Sequence, residues 1–192
     1  SRWIVGASAA EAPATYYLFQ RDKGSIQELF PSRPDLKAYR LAPMHGEIIR
    51  ARDKLELPSY LTLPEGQRPR PTAPLPMVLL VHGGPWARDE YGFNPQHQWL
   101  ADRGLAVLSV NFRASTGLGK AFVNAGDLEW GRRMHDDLID AVEWAVAQGI
   151  ADRERTAIMG ASYGGYATLA GLTFTPEVFR CGVDIVGPSN LE

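Results

Sequence analysis

The stretch that most constrains how this chain can fold is Ile158–Tyr166, which reads Ile-Met-Gly-Ala-Ser-Tyr-Gly-Gly-Tyr. Ala157, Ile158 and Met159 enter it as a strand, and Gly160-Ala161-Ser162-Tyr163-Gly164 then matches the G-x-S-x-G pattern of a nucleophile elbow. In such a corner a serine sits at the tip of a sharp strand-to-helix turn. Glycines flank it because a Cβ there would strike the neighbouring strand and helix. A helix expected from Tyr163 to about Leu172 aims its N-terminal amides and the positive end of its dipole at the site of reaction. Ser162 is therefore the candidate nucleophile, with Gly160 and Gly164 as the small residues that let the corner form.

A corner of this kind needs a packed sheet behind it, and 192 residues with 45% hydrophobic content are enough for one sizeable core. Basic residues (20) and acidic residues (22) nearly balance and form no stripe, so nucleic acid is not an expected partner. No apolar run approaches the roughly 18 to 20 residues that span a bilayer, so no membrane partner is expected either. Ser1-Arg2-Trp3-Ile4-Val5 has no signal-peptide layout and reads as the middle of a fold. The single cysteine, Cys181, excludes an internal disulfide framework and fits a reducing, cytoplasmic setting. It precedes Gly-Val-Asp-Ile-Val and is expected to be a buried small apolar group in a strand. Gly117-Leu118-Gly119-Lys120 fails as a phosphate loop, because Ala114 stands five residues before Gly119 and Ala121 follows Lys120. No histidine or cysteine spacing suggests zinc. No metal or cofactor is expected.

Along the chain, Thr15–Phe19 and Ile26–Phe30 read as an aromatic-rich hairpin around Asp22-Lys23-Gly24. Two strands do not stand alone in water, so this hairpin needs further partners. Pro31-Ser32-Arg33-Pro34-Asp35 breaks the pattern and marks a domain boundary, giving domains at 1–38 and 39–192. Glu47–Ala51 and Ser59–Leu63 read as an antiparallel pair. The Pro/Arg-rich stretch from Pro64 to Pro76 reads as a surface connection rather than a polyproline ligand. From there the rhythm is strand, helix, strand, helix. Met77–Val81 and Leu105–Val110 are continuous apolar runs, as in strands covered on both faces. Between them Asn94 caps a helix with Pro95 at its first position, ending at Gly104. Asp136 and Asp137 are expected to open a helix closed by Gly149, their charges favourable at its N-terminus. Thr156–Met159, the elbow helix and Cys181–Val186 complete the pattern. This alternation predicts an α/β fold, a mostly parallel sheet with helices on both faces. The edge beyond Cys181–Val186 is expected to favour association.

Acyl transfer at Ser162 needs donors for the charge that develops on the carbonyl oxygen. The elbow offers the N–H of Tyr163. The second donor is expected from His82-Gly83-Gly84-Pro85-Trp86, a variant of the HGGG-type loop. Pro85 has no N–H, so Gly84 is the best placed donor and Gly83 the next. His82 is expected to anchor this loop rather than to act as a base. His45, His97 and His135 are expected in surface or structural roles.

His82–Asp89 (HGGPWARD), Asn111–Phe122 (NFRASTGLGKAF), Met134–Ala145 (MHDDLIDAVEWA) and Gly160–Gly171 (GASYGGYATLAG) together resemble the prolyl oligopeptidase family of serine peptidases. The acylaminoacyl-peptidase and dipeptidyl-aminopeptidase-like branch is the most similar. The resemblance covers residues from about 40 to 192, and it implies an α/β-hydrolase fold in which Ser162 is the nucleophile and Gly84 and Tyr163 form the oxyanion hole. It also implies that residues 1–38 are a remnant of a β-propeller, and that Gly187, Pro188 and Asn190 help form the pocket for the side chain before the scissile bond. The implied activity is removal of N-terminal residues, dipeptides or acylated residues from short peptide substrates. A carboxylesterase and a non-catalytic interaction module remain the alternatives. Ala114 and Lys54 stand where relatives usually carry glycine. In α/β-hydrolases the triad runs Ser, Asp, His along the chain, yet residues 163–192 hold Glu177, Asp184 and Glu192 and no histidine. The chain is therefore expected to be a fragment with little or no turnover by itself.

Overall fold

A computed structural model describes residues 1–67 and 70–191. Pro69, which begins the most proline-dense part of the Pro/Arg-rich connection, and Glu192 lie outside the described residues. The N-terminal part is a three-stranded antiparallel sheet, β1 (Arg2–Ala9), β2 (Ala12–Gln20) and β3 (Ser25–Pro31), in the order β1-β2-β3. The expected hairpin is its β2–β3 half, turned by a short 3-10 segment at Arg21–Lys23 and by Gly24 at φ 58°. Strand β1 escaped sequence reading because Gly-Ala-Ser-Ala, its second half, has little strand preference.

A second 3-10 turn, Pro34–Ala38, leads into a six-stranded sheet. Its members are β4 (Met44–Arg50), β5 (Glu56–Thr62), β6 (Leu75–Val81), β7 (Ala106–Val110), β8 (Ala151–Ala161) and β9 (Cys181–Ile185), ordered β4-β5-β7-β6-β8-β9. The pairs β6–β7, β6–β8 and β8–β9 are parallel, whereas β4–β5 and β5–β7 are antiparallel. The helices are α1 (Pro95–Ala101), the short α2 (Lys120–Asn124), α3 (Arg133–Ala147) and α4 (Tyr163–Phe174). Asn94 caps α1 as its sequence implies, its side-chain oxygen accepting from the N–H groups of Gln96 and His97.

Alternation along β6 shows where the core sits. Met77, Leu79 and Val81 belong to the larger cluster, with Leu138, Val142, Tyr163 and Ala167 of α3 and α4. Val78 and Leu80 face the other way, onto Leu100 of α1. That second face is only partly covered, and an apolar cleft of ≈ 470 Å³ opens there, lined in part by Met159, Cys181 and Val183. Cys181 is exposed rather than buried, because it begins the strand at this edge of the sheet. Gln98 of α1 bonds the backbone of Ala42 in both directions and donates to the Ala10 carbonyl, which ties the N-terminal sheet to the larger one. Among the described residues no helix is long and apolar enough to cross a membrane.

Candidate active site

At the end of β8 the chain turns through Ser162 at φ 56° and ψ −117° and enters α4 at once. The Ser162 N–H donates to the Ile185 carbonyl at 2.9 Å, and its own carbonyl accepts the Tyr166 N–H at 3.0 Å. The glycines on either side are there for space. A Cβ on Gly160 would lie 2.5 Å from the Gly164 carbonyl, and one on Gly164 would lie 2.1 Å from the Val81 oxygen. Strand, helix and the neighbouring strand β6 thus meet at backbone contact. The Ser162 hydroxyl has no hydrogen-bond partner among the described residues. The Tyr163 N–H opens the helix, so the helical bonding pattern leaves it free of an intrahelical partner. The Tyr163 side chain points the other way into the core, where burial raises its phenol pKa.

The loop after β6 runs beside this corner. An ideal Cβ on Gly83 would sit 3.1 Å from the Ala161 carbonyl oxygen and 3.4 Å from Ser162 Cβ. Gly84 follows at φ 118°, where a Cβ would meet the Trp86 nitrogen at 2.5 Å. His82 is turned away from Ser162. Its Nδ1 lies 2.7 Å from the Gly83 carbonyl oxygen and its Nε2 2.9 Å from Ser115 Oγ, while its ring stacks on Phe112 at 4.4 Å. Burial lowers its pKa. Phe112 stacks in turn on Tyr163 at 5.3 Å, and Trp130 packs edge-on against Tyr163 at 4.7 Å. A continuous aromatic stack therefore joins the glycine loop to the elbow.

The remaining candidates divide. Gly187 abuts the first turn of α4, since a Cβ on it would lie 2.4 Å from the Gly165 carbonyl carbon, and its N–H donates to Asp184 Oδ1 at 2.8 Å. Pro188 and Asn190 lie exposed beyond it. His97 is held between Thr62 Oγ1 (2.9 Å) and Ser109 Oγ (2.8 Å), with burial lowering its pKa to about 4. His135 faces Thr175 at 3.1 Å, and His45 lies in β4.

Two features were missed at the level of sequence. Helix α3 begins at Arg133, so Asp137 lies a full turn inside it and is fully buried. It does not serve as an N-terminal charge. Its carboxylate accepts from the Arg113 N–H (2.9 Å), Nε (2.8 Å) and Nη2 (2.6 Å). Burial pushes the Asp137 pKa up while Arg113 pulls against it, and the pairing raises that of Arg113. The second is Ser115, fully buried behind His82. The signal for both was the Asn-Phe-Arg-Ala-Ser run, where an arginine and a serine follow an apolar strand, but only the fold brings them to their partners.

A model of the prolyl oligopeptidase family matches residues 91–192. The chain belongs to this family. It is 60% identical over 193 residues to dipeptidyl aminopeptidase BIII of Pseudoxanthomonas mexicana, covering 98% of this chain and 28% of that protein. It is 50% identical over 209 residues to dipeptidyl peptidase family member 6 of Caenorhabditis elegans, covering 100% of this chain and 28% of that protein. A solved acylaminoacyl peptidase in complex with Z-Gly-Gly-Phe-chloromethyl ketone superposes with a TM-score of 0.82 at 29% identity, over 98% of this chain and 30% of that one. The chain thus spans a little over a quarter of the length of the relatives it matches. As in other prolyl oligopeptidase-family members, the six-stranded sheet and its helices are of the α/β-hydrolase kind.

Proposed function

We propose that the complete gene product is a serine peptidase that removes N-terminal residues, dipeptides or acylated residues from short peptides through an acyl-enzyme on Ser162. One observation carries the reading: Ser162 stands at positive φ on a glycine-walled corner, its hydroxyl unengaged and its Cβ against the His82-Gly83-Gly84 loop. In this scheme Ser162 Oγ attacks the scissile carbonyl carbon. The N–H groups of Gly84 and Tyr163 hold the oxyanion, each worth on the order of 3 kcal/mol. The amine departs with a proton and water then releases the acyl group. His82 is committed to Ser115, so we assign the general base and its carboxylate partner to the stretch that the relatives carry beyond this match.

Peptide substrates are supported by the names of the relatives and by the peptide chloromethyl ketone bound to the acylaminoacyl peptidase. Gly187, Pro188 and Asn190 are assigned to the pocket for the residue before the scissile bond, on the strength of the contact between Gly187 and the first turn of α4. Residues 1–38 are assigned to the end of a β-propeller, consistent with an antiparallel sheet that buries only Ala10. A cytoplasmic setting is inferred from the lone cysteine.

The test is covalent labelling of the complete gene product by a fluorophosphonate, with turnover of dipeptidyl and acylaminoacyl anilides compared with simple nitrophenyl esters. Labelling is expected, and Ser162→Ala is expected to abolish it. Ester turnover without anilide turnover would replace the peptidase with a carboxylesterase. Equal labelling of Ser162→Ala would remove the nucleophile assignment altogether.

A further inference from the structure

We propose that Ser115 is a positioning residue for acyl transfer: its hydroxyl oxygen holds the far side of the His82 ring, and the ring fixes the Gly83–Gly84 peptide plane and with it the direction of the Gly84 N–H. The inference rests on the serine-peptidase reading, which is what gives that direction a consequence.

Nδ1 of His82 lies 2.7 Å from the Gly83 carbonyl oxygen, and a carbonyl oxygen only accepts, so Nδ1 carries a hydrogen. On the other side of the ring Nε2 lies 2.9 Å from Ser115 Oγ. Ser115 is anchored in turn: its hydroxyl donates to the Phe112 carbonyl at 2.7 Å and its N–H to the same oxygen at 3.0 Å. The imidazole is thus held between the Gly83 carbonyl and a serine that is itself fixed to Phe112.

The second step is geometric. The peptide between Gly83 and Gly84 is trans, so its carbonyl and its N–H point in opposite directions within one plane. Drawing the Gly83 oxygen toward His82 turns the Gly84 N–H to the opposite side. The peptide lies beside Ser162, since a Cβ built on Gly83 would stand 3.4 Å from Ser162 Cβ. Ser115 is itself held by its surroundings. Arg113 is clamped by Asp137, and Ala114, at φ 81°, donates to the Phe122 carbonyl at 3.1 Å.

The experiment is a double-mutant cycle in the complete gene product, with Ser115→Ala, His82→Asn and both together, read by anilide kinetics. An asparagine amide can donate to Gly83 in place of Nδ1 but has no atom in the place of Nε2 to meet Ser115. Loss of one oxyanion donor outright lowers kcat by about 100- to 1,000-fold, so misdirecting one is expected to lower it about 10- to 100-fold in Ser115→Ala, with KM within about twofold. In the His82→Asn background the same substitution is expected to change kcat by less than about threefold. Nitrogen-15 NMR of the His82 ring is expected to show a hydrogen fixed on Nδ1 in the parent and a broadened, tautomer-averaged signal in Ser115→Ala, where the ring loses its hold at Nε2. An unchanged kcat in Ser115→Ala, an equal loss in both backgrounds, or a His82 ring signal identical in parent and Ser115→Ala would overturn the proposal. Failure of the unsubstituted protein to react with the fluorophosphonate would instead overturn the serine-peptidase reading, before any Ser115 variant is made.

Discussion

Ser162 at φ 56° and Lys54 at φ 73° both place an L side chain in the half of backbone space that L residues avoid. Their surroundings differ. Ser162 is gripped on every side, by the Ile185 carbonyl, by the Tyr166 N–H and by two glycines with no room for a methyl group. Lys54 sits on an exposed turn between β4 and β5, held by its N–H to the Ala51 carbonyl at 2.8 Å and by the Ala51 N–H to the Leu55 carbonyl at 2.9 Å. Strained backbone survives where its surroundings over-determine it. At the elbow the strain holds a hydroxyl at the tip of the corner, and relaxing it would separate strand from helix. At the turn the Lys54 side chain itself bonds no partner among the described residues.

The largest expected effect comes from breaking the grip at the elbow. In Gly164→Ala the new Cβ would meet backbone oxygen at 2.1 Å, and no side-chain rotation relieves it. Strand β6 and helix α4 would have to part, with a loss expected beyond about 4 kcal/mol. Circular dichroism on heating is expected to show Tm lower by about 10 °C or more, or no cooperative transition. A Tm within about 2 °C of the parent would show that steric contact does not hold the corner.

Next in size is a grip made of charge rather than contact. Arg113 is 3% exposed and Asp137 0%, whereas Asp53, the second partner of Arg113, is 40% exposed. Asp137→Ala strands a buried guanidinium with only the outer carboxylate, and urea unfolding is expected to show a loss of about 3–5 kcal/mol. The neighbouring Arg52 pairs with Asp136 and Asp140 nearer the surface, so its removal serves as the control, at about 1 kcal/mol or less. Equal effects at the two sites would mean that burial of the Arg113 pair carries no energetic weight.

The two grips also differ in how far the sequence discloses them. Steric demands leave a local mark, because only glycine fits at Gly160 and Gly164, and their spacing about Ser162 identified the corner. The apolar runs of β6 and β7 and the Asn94-Pro95 cap were legible for the same reason: each is a local requirement written in adjacent residues. The pairing of Arg113 with Asp137 spans 24 positions and that of His82 with Ser115 spans 33, and any arginine or serine has many possible partners at such separations. Reading Asp137 as a helix-end charge followed from placing the start of α3 three residues late, a boundary that no capping side chain marks. Cys181 was placed inside because its strand looks apolar, while its exposure depends on which neighbours flank the edge of the sheet.

The smallest effect is expected at the turn. Among the described residues Lys54 makes no ion pair, so Lys54→Gly removes little beyond an exposed side chain. A left-handed L residue costs about 1–2 kcal/mol, and glycine escapes that cost while giving back roughly 0.5–1 kcal/mol through its freer unfolded state. The balance favours the variant by a few tenths to about 1 kcal/mol, a Tm rise of about 1–3 °C by calorimetry. Fluorophosphonate reactivity at Ser162 is expected to stay unchanged, since glycine adopts the same backbone conformation and the Lys54 side chain bonds no partner among the described residues. A fall in Tm would show that the turn needs the lysine side chain, and the distinction between useful and incidental strain would then fail at its weaker end.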